Sequence, residues 1–231
     1  MALPFTFPSA FFITATDTDV GKTFVSAILA VGLQAHYWKP IQCGAEPCTD
    51  TEWIQNNTHL TSDHFFPEAY LFKEPASPHL AAGLENIEIN IETIKMPDKK
   101  QWQYLIVEGA GGLMVPINNS LFVIDLIKHL NLPTLIVARS TLGTINHTVL
   151  TIEKLREKGI AIMGVVMNGP KNPNNRLAIE TYGKVCVLAE IEPIETINAN
   201  SLKQIFVTQF PGNSYRSIRS DKLEPSAFTS L

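Results

Sequence analysis

The sequence contains little cysteine: only Cys43, Cys48 and Cys186 occur in 231 residues. Three thiols form no disulfide framework, and they supply too few ligands for a structural zinc site. This cysteine usage is typical of proteins in a reducing compartment, so we expect a cytoplasmic protein.

An excess of positive charge and long apolar runs are also absent from the sequence. The net charge is -4, which argues against nucleic acid as the main partner. No run reaches the roughly 20 apolar residues of a membrane span, so we expect no membrane partner. The apolar segment 1–12 lacks Lys and Arg, contains Pro4 and Pro8, and leads directly into the first predicted strand. We therefore do not expect a signal peptide.

Predicted strands alternate with predicted helices along most of the chain. This order is typical of a mostly parallel sheet covered on both faces, here as a single α/β domain over residues 1–208 with a loosely ordered tail at 209–231. Strands are predicted from Phe11 and at 36–41 (a short strand ending at Pro40), 70–72, 103–107, 133–138, 160–167 and 185–191. Helices are predicted at 24–34, 50–57, 122–130, 143–158, 174–182 and 201–206, with a short helix ending near Gly83. The rest of 58–74 is predicted to be irregular, 86–101 is predicted as a helix or connector, and the glycines at 109–112 are expected to end their strand.

The segment from Thr16 to Thr23 has the pattern of a phosphate-binding loop between a strand and a helix. Gly21 lets the backbone approach a phosphate, Lys22 supplies positive charge, and the Thr23 hydroxyl can bind Mg²⁺. The usual first glycine is replaced by Thr16, so an ordinary tight turn is the alternative interpretation.

Polar residues follow several of the predicted strands, where ligands collect in parallel sheets. Glu108 is interpreted as a metal ligand at a strand tip, or otherwise as a surface carboxylate. Asp50 is a second candidate ligand, or a helix cap. Lys39 can point into the cleft to neutralise a phosphoryl group, or remain a solvated edge charge.

Three further positions have a functional and a plain interpretation. Asn168 suits the edge of an adenine, but is also a common turn residue. The helix start at 143–147 can bind an anion such as a substrate carboxylate, or is an ordinary terminus capped by Thr144. Cys43 has no base placed beside it by sequence, so we interpret it as a small contact residue rather than a nucleophile.

With these residues in view, the chain resembles the dethiobiotin synthetase family over residues 10–192. The resemblance rests on six short blocks in the family's order, at 16–23, 38–40, 74–79, 107–112, 142–147 and 166–168. It implies a homodimer with a P-loop NTPase-type, three-layer α/β/α fold and about seven strands. It also implies an ATP- and Mg²⁺-dependent ligase that closes the ring of 7,8-diaminononanoate with CO₂ to give dethiobiotin.

The resemblance assigns roles to individual positions of this sequence. Catalytic roles are implied for Thr18, Lys22 and Lys39, and metal binding for Thr23, Asp50 and Glu108. Nucleotide binding is implied for Asp19, Val20, Gly21, Lys22, Thr23, Phe24, Asp50, Glu108, Gly109, Ala110, Gly111, Asn168 and Gly169. Substrate binding is implied for Cys43 and, from the partner subunit, for Gly143, Thr144 and Asn146.

The sequence departs from the family pattern at three places, and two other protein families are alternatives. Ala15 stands where glycine is usual, Cys43 where serine is frequent, and Glu192 separates Glu-Ile from Pro. A partition or septum-positioning ATPase usually carries a lysine early in the loop, where this chain has Thr16 and Asp17. A cobyrinate-type amidotransferase needs a glutaminase domain that 231 residues do not accommodate.

Overall fold

The structure, a computed structural model, describes residues 5–211. The nine strands of this part are β1 (Ala10–Ala15), β2 (His36–Trp38), β3 (Ile41–Cys43), β4 (Phe65–Phe66), β5 (Tyr70–Phe72), β6 (Leu105–Gly112), β7 (Thr134–Arg139), β8 (Ile162–Asn168) and β9 (Val187–Ile191). Its seven α-helices are α1 (Lys22–Leu33), α2 (Asp50–Thr58), α3 (Pro78–Leu84), α4 (Val123–Leu130), α5 (Thr144–Glu157), α6 (Pro173–Gly183) and α7 (Ala199–Gln209). Across the same residues, no helix combines the length and apolar character that crossing a bilayer requires.

Seven of the described strands form one parallel sheet in the order β4-β2-β6-β1-β7-β8-β9. Strand β1 lies at its centre, where Phe12 is paired with Val107 of β6 and with Thr134 of β7. The loop that follows β1 therefore leaves the sheet in the middle of its carboxyl edge. This confirms the predicted mostly parallel sheet of about seven strands.

Two hydrophobic cores cover the two faces of this sheet. Along β1, Phe11 and Ile13 face one core and Phe12 faces the other, as the two-residue period of a strand requires. Helices α1, α2 and α7 contribute buried side chains to the first core, and α3, α4, α5 and α6 to the second. The predicted three-layer α/β/α arrangement is confirmed.

Strand β6 corrects the prediction that the glycines at 109–112 end it. The strand continues to Gly112, which is paired with Ala15 after a shift in register. A Cβ on Gly109 would lie 2.6 Å from the Phe12 ring, so close packing leaves room only for glycine at this position of the strand. Glu108 consequently lies inside the strand rather than at its tip.

The predicted second strand stops before Pro40, close to its expected end, but Ile41 does not belong to it and opens the separate strand β3. Proline lacks the N–H that a sheet ladder needs, and β3 leaves the main sheet to pair with β5 in a separate two-stranded sheet. The predicted strand at 70–72 is confirmed as β5. Residues Phe65–Phe66, expected to be irregular, form the edge strand β4 of the main sheet.

The structure also decides two other predicted segments. The stretch 86–101, predicted as a helix or connector, is a connector with short 3₁₀ turns at Ile91–Thr93 and Lys99–Gln101. The predicted helix at 201–206 is longer and continues to Gln209. The predicted tail lies almost entirely at 212–231, outside the described residues.

Candidate active site

A cavity of about 860 Å³ opens at the carboxyl edge of the sheet, beside the loop that follows β1. The polar groups predicted from separate parts of the chain converge on it. Of the residues predicted to form the site, those lining the cavity are Thr18, Asp19, Gly21, Lys22, Thr23, Lys39, Cys43, Asp50, Glu108, Ala110 and Gly111.

The loop between β1 and α1 has the backbone of a phosphate-binding loop. Gly21 has φ +92°, a left-handed conformation that favours glycine, and a Cβ there would lie 2.2 Å from Nδ2 of Asn168. Within the described chain, no side chain caps α1, so the first N–H groups of the helix remain available to an anion. Lys22 is buried, and this burial lowers the pKa of its amine.

Two side chains outside the loop hold it in place. Asn168, at the end of β8, donates from Nδ2 to the carbonyl oxygen of Val20 at 2.9 Å. Arg139, at the end of β7, pairs with Asp17 at 2.7 Å. Asp17 in turn accepts the backbone N–H of Thr18 at 2.8 Å. Arg139 was missed by sequence reasoning, although its position at a strand end is the signal that could have found it.

Glu108 is fully buried on β6 and faces α1. Its Oε2 accepts hydrogen bonds from Ser26 at 2.6 Å and from the Tyr37 hydroxyl at 3.1 Å. Burial and the adjacent carboxylate raise the pKa of Tyr37 well above its usual value, so the phenol stays protonated. Neither donor was found from the sequence. The available signal was a serine one helical turn after Thr23, on the same face of α1.

The Thr23 hydroxyl lies between two carboxylates. Its Oγ1 is 3.0 Å from Oδ1 of Asp50 and 3.0 Å from Oε1 of Glu108. A hydroxyl has one hydrogen and satisfies only one of these two acceptors, so the other carboxylate oxygen receives no hydrogen bond from Thr23. Thr49 caps α2 through a capping box with Glu52, so the alternative of Asp50 as the helix cap is wrong.

Lys39 follows β2 and turns into the cavity instead of into solvent. Its Nζ contacts Oδ2 of Asp50 and lies 3.6 Å from Oε1 of Glu108, and the residue is only 6% exposed. The alternative of a solvated edge charge is therefore wrong. Burial lowers the pKa of Lys39, and the charge of Glu108 opposes that shift.

Cysteine side chains form part of the cavity wall. Burial raises the pKa of Cys43 to about 11, so its thiol is neutral near pH 7 and a poor nucleophile. Cys48, which sequence reasoning did not select, also lines the cavity. Gln42 donates to the carbonyl oxygen of Gly44 at 2.8 Å and shapes the turn between them.

The remaining predicted site residues lie outside this cavity. Gly143 is the N-cap of α5, and the buried Thr144 side chain contacts Thr148 at 3.3 Å, so the alternative of a terminus capped by Thr144 is wrong. A second cavity of about 370 Å³ lies beside α5 and shares Thr18 with the first. The others outside the first cavity are Val20, Phe24, Gly109, Asn146, Asn168 and Gly169.

The altered segment at 190–193 is held by ion pairs to the segment after β8. Glu190 accepts from Arg176 at 3.0 Å, and the inserted Glu192 pairs with Lys171 at 3.1 Å. Gly169 donates its N–H to the carbonyl oxygen of Ile191 at 2.9 Å. The 190–193 segment therefore stays connected to the end of β8 although Glu192 departs from the family pattern.

Comparison with known proteins identifies relatives over most of the chain. A family described as AAA domain matches residues 9–201. The ATP-dependent dethiobiotin synthetase BioD of Paramagnetospirillum magneticum is 49% identical over 191 residues, which is 83% of this chain and 91% of the relative. The enzyme of the same name from Lawsonia intracellularis is 46% identical over 199 residues, which is 86% of this chain and 95% of the relative.

Solved structures support the fold. The MinD cell division protein of Aquifex aeolicus aligns with TM-score 0.51 and 15% identity, over 95% of this chain and all of that one. A putative plasmid partition protein of Borrelia burgdorferi bound to AMPPNP aligns with TM-score 0.51 and 13% identity, over 87% of this chain and 98% of that one. These likenesses show a shared P-loop architecture, whereas the sequence relatives are far closer. The chain belongs to the family of ATP-dependent dethiobiotin synthetases, which confirms the resemblance found in its sequence.

Proposed function

We propose that the protein is a dethiobiotin synthetase, an ATP-dependent ligase of biotin biosynthesis that closes the ring of 7,8-diaminononanoate with CO₂. The observation that carries the proposal is the buried Lys39, which enters the same cavity as Lys22 and two carboxylates. In the proposed reaction, these two cations would neutralise the charge of an anionic nucleophile and of the anionic phosphate that it attacks. The identity to named synthetases over most of the chain supports the same reaction.

The phosphates of ATP are proposed to bind at the loop before α1. The left-handed Gly21, the helix N-terminus and Lys22 are the features that support this assignment. Asp19 to Phe24 and the 108–111 segment would border the nucleotide. Asn168 and Gly169 are proposed to contact the adenine, and the Asn168 Oδ1 remains able to accept while its Nδ2 holds Val20.

Mg²⁺ is proposed to bind at Thr23, Asp50 and Glu108. The Thr23 hydroxyl lies 3.0 Å from an oxygen of Asp50 and 3.0 Å from an oxygen of Glu108, and hard oxygen ligands of this kind fit a divalent cation. The bound ion would supply positive charge to the β- and γ-phosphates. Lys39 contacts Oδ2 of Asp50 and lies 3.6 Å from Oε1 of Glu108, so its charge is next to the proposed metal site.

The chemistry proceeds through three changes at the substrate. One amine takes up CO₂ to form a carbamate, whose oxygen attacks the γ-phosphate and releases ADP. The second amine then attacks the activated carbamate carbon, closes the five-membered ring and expels phosphate. The contribution of the protein is orientation and charge neutralisation by Lys22 and Lys39, with the Thr18 side chain at the cavity edge.

The substrate is proposed to lie between the two cavities and to be completed by a second subunit. Cys43 lines the first cavity, and Thr18 borders both. Gly143, Thr144 and Asn146 would receive the substrate carboxylate from the partner. Exposed apolar side chains near α5, Leu142 and Leu150, support a homodimer at this surface, because water-exposed leucines favour burial.

The test is phosphate release from ATP by purified protein with Mg²⁺ and bicarbonate, with and without 7,8-diaminononanoate. We expect release to depend strictly on the diamine. A nucleotide switch of the MinD type would hydrolyse ATP at the same rate in both mixtures, and that result would overturn the proposal.

A further inference from the structure

The two oxygens of Glu108 have different surroundings. Oε2 points back into the protein and accepts from Ser26 and Tyr37. Oε1 points to the cavity, 3.0 Å from Oγ1 of Thr23 and 3.6 Å from Nζ of Lys39. Neutral hydroxyls therefore satisfy one oxygen of Glu108, and the other oxygen faces Thr23 and the charged Lys39.

Both hydroxyl donors are fixed by the fold. Ser26 lies on α1 and Tyr37 on β2, and each is fully buried, as is Glu108 on β6. The described residues that line the cavity do not include Ser26 or Tyr37. These hydroxyls do not reach a substrate, so any effect they have on the reaction passes through Glu108.

A buried carboxylate needs its lone pairs satisfied, and its terminal torsion is otherwise broad. Two donors on one oxygen fix the plane of the carboxyl group and so the direction of the other oxygen. Partners of this kind orient metal ligands and commonly change metal affinity by about 10- to 100-fold when they are removed. The pair also stabilises the carboxylate without adding a positive charge that would compete with a metal.

We propose that Ser26 and Tyr37 are positioning residues that hold Oε2 of Glu108 and thereby direct Oε1 to the divalent cation of the nucleotide site. The inference rests on the metal assignment of the proposed function. It assigns no contact with ATP or diamine to either residue.

The test uses Tyr37→Phe and Ser26→Ala, each of which removes one hydroxyl from a buried position. Tyr104→Phe is the matched control, because Tyr104 is a buried tyrosine that is not a hydrogen-bond donor to Glu108. The readout is Mn²⁺ binding to the protein–ADP complex by electron paramagnetic resonance, with circular dichroism to establish folding. We expect about tenfold weaker Mn²⁺ binding for each variant, a greater loss for the double variant, and a change within about twofold for Tyr104→Phe.

Wild-type Mn²⁺ affinity in folded Ser26→Ala overturns the inference, whatever the solubility of Tyr37→Phe. An equal loss in Tyr104→Phe also overturns it, because the effect would then be general to core hydroxyls. If the wild-type protein with bound ADP binds no Mn²⁺, the proposed metal site is absent, and that result overturns the inference too. Failure of the proposed function is distinguishable, since it appears as intact Mn²⁺ binding without diamine-dependent phosphate release.

Discussion

Replacing Lys39 by methionine should remove most of the turnover and leave the metal site intact. Methionine is unbranched and of similar length, so it fits the buried position without charge. The lysine is a counter-ion of Asp50 and Glu108, whose oxygens lie 3.0 Å from the same hydroxyl. Without it, the two carboxylates repel each other, and a divalent cation becomes their main remaining source of compensation.

The magnitude follows from burial and charge. Breaking a buried ion pair costs about 3–5 kcal/mol, but the Asp50 side chain is 29% exposed, so we expect about 2 kcal/mol of stability to be lost. That corresponds to a melting temperature lower by about 4–8 °C. Loss of a cation at the developing charge should lower kcat by about 100- to 1,000-fold, which is about 2.7–4 kcal/mol.

The assay combines diamine-dependent phosphate release with thermal melting, with and without Mg²⁺ and ADP. The stabilisation by Mg²⁺ and ADP should be at least as large in Lys39→Met as in the wild type. Lys171→Met is the control, since Lys171 is an exposed lysine paired with Glu192, and it should change stability by less than about 0.5 kcal/mol. Turnover of Lys39→Met within threefold of the wild type would refute the reasoning.

Three further predictions test the proposed metal ligand Thr23, the loop residue Gly21 and Cys43 in the cavity wall. Thr23→Val keeps the shape but removes the hydroxyl between the carboxylates, so Mg²⁺-dependent ADP affinity should fall about tenfold by calorimetry; an unchanged Mg²⁺ dependence would exclude Thr23 from the metal site. Gly21→Ala places a methyl group 2.2 Å from the Asn168 amide at φ +92°, and should cost about 1–3 kcal/mol in urea unfolding; wild-type stability would show that the loop relaxes freely. Because the pKa of Cys43 is about 11, its alkylation by iodoacetamide should be roughly 100-fold slower at pH 8 than that of the exposed Cys186, and should accelerate about tenfold per pH unit up to that value. Equal rates at pH 8 by mass spectrometry would contradict the burial of Cys43.

The alternation of strands and helices was predictable because it rests on local periodicity. The segment from Phe11 to Thr23 combines an apolar run, a polar loop and a helix, and the structure has all three in that order. The continuation of β6 through its glycines was not predictable in this way. It depends on pairing with Ala15 and on the Phe12 ring, which lie far away in sequence.

The charged residues of the site were easier to predict than the neutral residues that hold them in position. Lys39 and Glu108 attract attention because charges beside apolar runs are costly unless they are paired. Ser26 and Tyr37 resemble ordinary residues of a buried helix and strand, and only the tertiary packing shows that both hydroxyls point to Oε2 of Glu108. Likewise, only the capping box of Thr49 distinguishes its role from that of Asp50.

The central claim is that this cavity joins CO₂ to a diamine at the expense of ATP. Its most direct measurement is mass spectrometry of the product formed from ¹³C-bicarbonate, 7,8-diaminononanoate and Mg-ATP, with phosphate measured in the same sample. We expect a ¹³C-labelled cyclic urea in an amount equal to the phosphate released. Phosphate release without the labelled product would contradict it.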